Sequence, residues 1–178
     1  MREDKIYLAG GCFWGTEQYL KGIAGVLDTQ AGYVLGEKPL WNAPLRESVS
    51  YEEVCNHSGH AEAVEVCFDA DRLPLDALLR EYAYSIDPTS LGRQGMDIGI
   101  QYRTGIYYLN EEQKQVAEAF LAALQEKYAQ PIMVECLPLR QFIPAEEEHQ
   151  DYLDKHPGGY CHISPAEVER RRGTWQSL

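Results

Sequence analysis

No stretch of the chain approaches the roughly 20 consecutive apolar residues of a membrane-spanning helix. Basic residues are scarce as well: 16 Lys and Arg stand against 28 Asp and Glu, for a net charge of -12. Phosphate backbones and anionic lipid headgroups attract basic surfaces, so neither nucleic acid nor a membrane is the expected partner. The opening Met1–Lys5 is charged and lacks the apolar run of a secretory signal, which makes the cytoplasm the expected location. None of the five cysteines (Cys12, Cys55, Cys67, Cys136, Cys161) forms a CxxC pair, which argues against a zinc ribbon or a thioredoxin-type motif. In a reducing compartment these are thiols at rest, and a disulfide among them is catalytic rather than structural. Repeats and low-complexity tracts are also missing.

What remains is an ordinary globular composition. With 178 residues, 44% hydrophobic and 25% charged, the chain suits a single domain over 1–178 with a core of its own. Lys5–Ala9 reads as a strand closed by Gly10–Gly11, and Phe13–Lys21 as the helix after that turn. Gly25–Tyr33 reads as a strand and Val34–Ser50 as a long loop carrying Pro39, Trp41, Pro44 and Arg46, expected to border the site. Val64, Val66 and Phe68 alternate with a strand's period, while Leu75, Leu78, Leu79 and Tyr82 share a helical face within Leu73–Ser85. Gly105–Leu109 reads as a strand, Asn110 as the cap of a helix to about Tyr128, Ile132–Cys136 as a strand and Glu146–His156 as a charged helix. From Pro157 the tail looks loosely held, apart from a short helix after Ser164. Strands alternating with helices suggest crossover units packed on one sheet.

The chemistry starts at Gly10-Gly11-Cys12-Phe13-Trp14-Gly15. A cysteine at a helix N-terminus meets unpaired backbone N–H groups and the positive end of the helix dipole. Both favour the thiolate, the nucleophilic form, and a depressed thiol pKa is expected there. The same position also suits an inert buried thiol. Phe13 and Trp14 follow at once, two large aromatics that either line a site or fill a core.

Gly-Cys-Phe-Trp-Gly resembles the signature of the peptide methionine sulfoxide reductase A family. Further motifs of that family follow in order: Tyr51-Glu52-Glu53-Val54-Cys55, Gly59-His60-Ala61-Glu62-Ala63-Val64, Arg93-Gln94-Gly95, Asp97, Gln101-Tyr102-Arg103, His149-Gln150-Asp151-Tyr152-Leu153 and Gly159-Tyr160-Cys161. The resemblance runs from about Ile6 to Ile163. It implies an α+β fold: a two-layer sandwich with a mixed sheet, a ferredoxin-like core and a long irregular C-terminal tail.

The resemblance also implies the site. Cys12 is the nucleophile, Glu62 the proton donor, and Tyr51 and Tyr102 the hydroxyl donors to the sulfoxide oxygen. Phe13 and Trp14 hold the substrate methyl group, and Asp97 is a polar group beside the site. Attack by Cys12 leaves a sulfenic acid, which condenses readily with a second thiol. Cys161, after Pro157-Gly158-Gly159, is the resolving candidate, with 157–178 as a mobile tail. The disulfide then passes to thioredoxin. Cys55, Cys67 and Cys136 read as structural, and His60 and His149 as structural hydrogen-bonding residues. The implied substrate is the S-epimer, protein-bound and free; no cofactor or metal is implied, and the enzyme is expected to be a monomer. Departures from the family pattern are the longer segment before Tyr51, Met96 in place of a common asparagine, and Ile100 in place of a common threonine. Two other readings remain at this point. One is a different cysteine enzyme, a hydrolase or acyltransferase, which needs an oriented histidine base. The other is a non-catalytic binder of oxidised methionine.

Overall fold

The structure, a computed structural model, describes residues 1–38 and 44–175. Pro39 and Trp41, which the sequence reading set near the site, lie outside the described residues. The elements run β1 (Glu3–Gly10), α1 (Phe13–Lys21), β2 (Val26–Gly36), α2 (Tyr51–Cys55), β3 (Ala61–Asp69), α3 (Leu75–Tyr84), β4 (Arg93–Gln94), β5 (Asp97–Ile98), β6 (Thr104–Tyr108), α4 (Glu111–Gln125), β7 (Glu135–Pro144), α5 (Tyr152–Lys155) and α6 (Pro165–Thr174). None of the described helices is long and apolar enough to cross a membrane.

The α+β class and the mixed sheet stand, but the open ferredoxin-like sandwich does not. Five strands close into a barrel in the order β1-β3-β2-β7-β6, with β6 pairing back onto β1. Every neighbour is antiparallel except β6–β7, a parallel pair linked through α4. Strand β7 makes the closure. Its first residues pair with β6 (Gly105↔Glu135 to Tyr108↔Pro138), and its later ones with β2 (Gly36↔Leu139 to Gly32↔Pro144). The expected strand at Ile132–Cys136 was too early and too short to span both neighbours. Pro138 and Pro144 disguise the rest of it, because proline donates no ladder hydrogen bond.

Alternation along the strands separates two faces. Ile6, Leu8, Val64, Val66, Phe68 and Ile106 join the core that also holds Leu20, Leu78, Leu79 and Leu124 from the helices. Tyr7, Ala9, Val34, Ala61, Ala63 and Tyr107 form a second cluster with Leu137, Leu139 and Phe142. Small residues on this second face let the barrel stay narrow. A Cβ on Gly36 would stand 2.8 Å from Leu137 and 2.9 Å from the Tyr107 ring.

Two further readings need correction. Glu146–His156 is not one helix: a 3-10 turn at Glu147–His149 breaks before α5, with Asp151 in the left-handed region at φ 51. Side chains pull the backbone apart there. The Gln150 amide pairs with both backbone groups of Ala31 (2.8 Å each), and the Asp151 N–H donates to buried Glu17 at 2.7 Å. The tail is not irregular to its end either. Ser164 caps the ten-residue α6, Arg172 pairs with Glu81, and Trp175 is buried against Tyr84.

Candidate active site

Strand β1 ends at Gly10, and Gly11 reverses the chain at φ +90, a conformation that favours glycine. Cys12 follows as the N-cap residue of α1 and is 8% exposed. Strand β3 runs beside β1 and carries Glu62 on its helix-facing side, fully buried. The Phe13 amide, one of the free N–H groups of the helix start, donates to Glu62 Oε1 at 3.1 Å. Glu62 Oε2 is buried and has no hydrogen-bond partner among the described residues.

Burial raises the Glu62 carboxyl most, against the lowering by the Phe13 amide, and nearby Asp97 raises it further. The result is a pKa of about 8, so the group is largely a neutral acid at pH 7. The depressed Cys12 thiol expected from its helix position is not found. Burial first, and then the Glu62 charge, push it well above its ordinary range, although the Trp14 and Gly15 amides pull the other way. Two backbone dipoles do not offset loss of water around a thiolate. Protonation of Glu62 removes that carboxylate's share of the penalty.

Tyr51 opens α2, and Tyr102 ends the 3-10 turn Ile100–Tyr102. Burial, followed by the Glu62 charge, raises both hydroxyls. Both are therefore protonated donors across the neutral range. Glu146 holds Tyr51 from behind: it accepts the Tyr51 amide at 3.2 Å and the Tyr33 hydroxyl at 2.7 Å.

The two aromatics behave differently. Phe13 is fully buried among Tyr33, Tyr51 and His149, with ring centroids 5.6, 6.4 and 5.4 Å away. Half-buried Trp14 stacks on Tyr152 at 3.7 Å and 9°, and its indole N–H donates to His149 Nδ1 at 3.1 Å. Asp97, on β5, raises Cys12, Glu62 and Tyr102 and accepts the Tyr160 hydroxyl at 3.4 Å.

Cys161 is exposed and sits over the first turn of α1. A Cβ on Gly15 would stand 2.9 Å from its sulfur. The following His162 binds the Gly10 carbonyl through Nε2 at 2.7 Å. Segment 157–163 is thus docked on the strand–helix turn rather than loose. Cys55 ends α2, the helix that Tyr51 opens, whereas Cys67 lies beside Glu3 and Cys136 on β7. His60 bonds Ser58 and Gln141.

The sequence reading gave His149 only a structural hydrogen-bonding role, which its bond to Trp14 fits, and gave Tyr152, Glu146 and His162 no role. His149 and Tyr152 lie in a motif it had noted, but their stacking on Tyr51 (4.7 Å) and Trp14 depends on the break at Asp151. Glu146 and His162 carried no local signal. The arrangement puts a sulfur nucleophile next to a neutral carboxylic acid and two phenols. It can attack an atom bearing a polar oxygen while protonating that oxygen, and a second thiol, Cys161, lies against the same first turn.

Nearly the whole chain is similar to one known family. The family model described as "Peptide methionine sulfoxide reductase" matches residues 4–177. Among curated relatives, the "Peptide methionine sulfoxide reductase MsrA" of Lachnoclostridium phytofermentans is 51% identical over 159 residues, 89% of this chain and 91% of that protein. Its counterpart in Clostridium acetobutylicum is 48% identical over 168 residues, covering 94% and 98%. Reduced Mxr1 from Saccharomyces cerevisiae superposes with a TM-score of 0.82 at 33% identity, over 92% of each chain. That yeast protein is also solved in complex with Trx2, a form similar to this chain in fold (TM-score 0.54, 20% identity, 85% of each chain).

Proposed function

This chain belongs to the peptide methionine sulfoxide reductase A family and reduces methionine sulfoxide to methionine; from that premise we propose a cycle carried by Cys12, Glu62 and Cys161. The observation that carries it is the Phe13–Glu62 hydrogen bond, which holds a neutral carboxylic acid against the residue following Cys12.

The sulfoxide oxygen receives hydrogen bonds from Glu62, Tyr51 and Tyr102. Cys12 attacks sulfur as Glu62 delivers a proton to oxygen. Methionine leaves, and oxygen ends on Cys12 as a sulfenic acid. Phe13 and Trp14 enclose the methyl group. Methyl burial is worth only about 0.8 kcal/mol, so the hydrogen bonds to oxygen carry most of the selectivity. Asp97 orders the polar side of the site through Tyr160. The substrate is the S-epimer, protein-bound or free.

Cys161 then displaces the sulfenic oxygen as water and forms a Cys12–Cys161 disulfide. Its seat at Gly15 supports this role over Cys67 and Cys136. A thioredoxin-type protein reduces that disulfide, in keeping with the yeast relative's complex with Trx2. The whole cycle belongs to one catalytic domain over 1–178; within 157–178 the docked segment 157–163 bears the resolving thiol and shifts as the disulfide forms, while α6 stays packed. Five free thiols suit a reducing compartment, and the cytoplasm is the assignment that fits them.

Single-turnover kinetics of Cys161→Ser tests the cycle. About one equivalent of methionine per enzyme is expected, followed by a stall with thioredoxin and a restart with dithiothreitol, which reaches a sulfenic acid directly. Normal cycling of Cys161→Ser with thioredoxin would assign the resolving role to another cysteine.

A further inference from the structure

His162 is the residue of the tail with the most unusual surroundings. Its ring lies in a groove that exists because two neighbours are glycines. A Cβ on Gly11 would stand 2.7 Å from His162 Nε2, and one on Gly15 would stand 3.1 Å from Nδ1. Gly10's carbonyl can only accept, so the 2.7 Å bond places the ring proton on Nε2. In the neutral ring Nδ1 is therefore a bare lone pair. That nitrogen is buried and has no hydrogen-bond partner among the described residues.

Gly15 is the common neighbour of three reacting groups. It stands three residues after Cys12 in the first turn of α1, and the space where its side chain would be is bounded by Cys161 Sγ and His162 Nδ1. A thiol above its ordinary working range, an unpartnered ring nitrogen and a second thiol thus meet at one helical turn.

We propose that His162 is the base that activates Cys161 for disulfide formation, with its Nε2 anchored on Gly10 and its Nδ1 free to take the thiol proton. This rests on the cycle proposed above, in which Cys161 resolves the Cys12 sulfenic acid. His162 Nδ1 takes the proton from Cys161, and the thiolate attacks the sulfenic sulfur. The new S–S bond forms as the S–O bond breaks. The departing hydroxide collects the proton from His162 and leaves as water. Cys161 sulfur is oxidised, Cys12 sulfur is reduced, and His162 returns to its neutral form. No further reductant or oxidant enters this step.

Burial keeps the imidazole below its usual range, with the Gly10 bond and the Asp97 charge acting in the opposite direction. Among the described residues the charged group acting on it is Asp97 from β5, and the Cys161 thiol shares the space at Gly15 with its Nδ1; Gln94 from β4 packs by Gly11 without charge. The ring is therefore an available base at neutral pH.

The test reads the rate of disulfide formation after the first turnover, by rapid quench, alkylation and mass spectrometry of the full-length protein. Methionine released in that turnover serves as the internal reference for each variant. In the wild type the rate is expected to be flat above pH 7 and to fall as the imidazole is protonated. His162→Gln keeps an amide donor for Gly10 but has no base. It should form the disulfide about 100-fold more slowly at pH 7, with a rate that climbs with pH through the thiol range. In His162→Gly, added imidazole should accelerate the step, which an anchoring role alone does not produce. A His162→Gln profile that matches the wild type, or no response of His162→Gly to imidazole, overturns the proposal. A wild-type disulfide that maps to a cysteine other than Cys161 overturns the cycle itself, and the base role with it.

Discussion

The Phe13 amide donates to Glu62 Oε1 at 3.1 Å, tying the first residue of α1 to a strand residue 49 positions later. One oxygen of the carboxyl is thereby fixed, and the buried second oxygen is left free of protein partners among the described residues. The bond orients the acid, and burial keeps it protonated.

Glu62→Gln keeps the shape and can still donate a hydrogen bond, but it has no acidic proton to give. General acid catalysis contributes ~10²–10⁴-fold, and the reductive step should slow within that range. In the wild type the same step should weaken as pH rises through about 8, where Glu62 ionises. The variant should lack that limb. Stopped-flow measurement of the first methionine release across pH 6–10 checks both, and an unchanged rate at pH 7 removes Glu62 from the mechanism.

Stability should report on the same carboxyl. Its pKa rises from 4.5 to about 8 on folding, so the folded state binds more protons than the unfolded chain between those values. Its contribution is full below the unfolded pKa and is lost as pH climbs towards the folded one. Each pKa unit is worth about 1.4 kcal/mol, so the swing is a few kcal/mol. Urea unfolding at pH 4.5 and pH 8.5 should show Glu62→Gln gaining on the wild type at the higher pH. A constant difference between the two proteins counts against a buried, protonated Glu62.

Racemic methionine sulfoxide should stop near half conversion, because methionine sulfoxide reductases take one epimer each. Chiral analysis of the residue should find the R-epimer. Complete consumption by the pure protein would contradict the assigned stereochemistry.

Arg103 should matter for stability rather than chemistry. It pairs with Glu135 at 2.5 Å, donates to the Gly59 carbonyl at 3.0 Å, and shares Glu135 with the Tyr107 hydroxyl at 2.9 Å. Both ionic side chains are mostly buried, at 11% and 15% exposure. Breaking such a pair from one side costs about 3–5 kcal/mol. Arg103→Gln should lower stability by that order in chemical denaturation. A loss below about 1 kcal/mol, the worth of an exposed pair, would place the pair effectively in solvent.

Local chemistry made much of this molecule legible in advance. Phe13–Lys21 follows directly from the Gly10–Gly11 turn, Asn110 does cap the helix at Glu111, and Cys12 stands at a helix start. Each depends on residues a few positions apart, and hydrophobic period and capping preference are short-range effects. Even the missed helix α2 had such a signal: Ser50 and Glu53 form a reciprocal capping box.

Long-range closure was different. That β7 serves two partners and shuts a barrel depends on contacts between Gly36, Tyr107 and Leu137, which no local period encodes. The split at Asp151 is imposed by Glu17 and Ala31, more than a hundred residues away. The Cys12 thiol shows the limit most clearly. Its helix position, readable from a few residues, predicts a lowered pKa; burial and the Glu62 charge, which exist only once β1 and β3 pair, reverse the sign. Electrostatics depends on what surrounds a group in space, so residue identity and order set the candidates while packing sets their protonation.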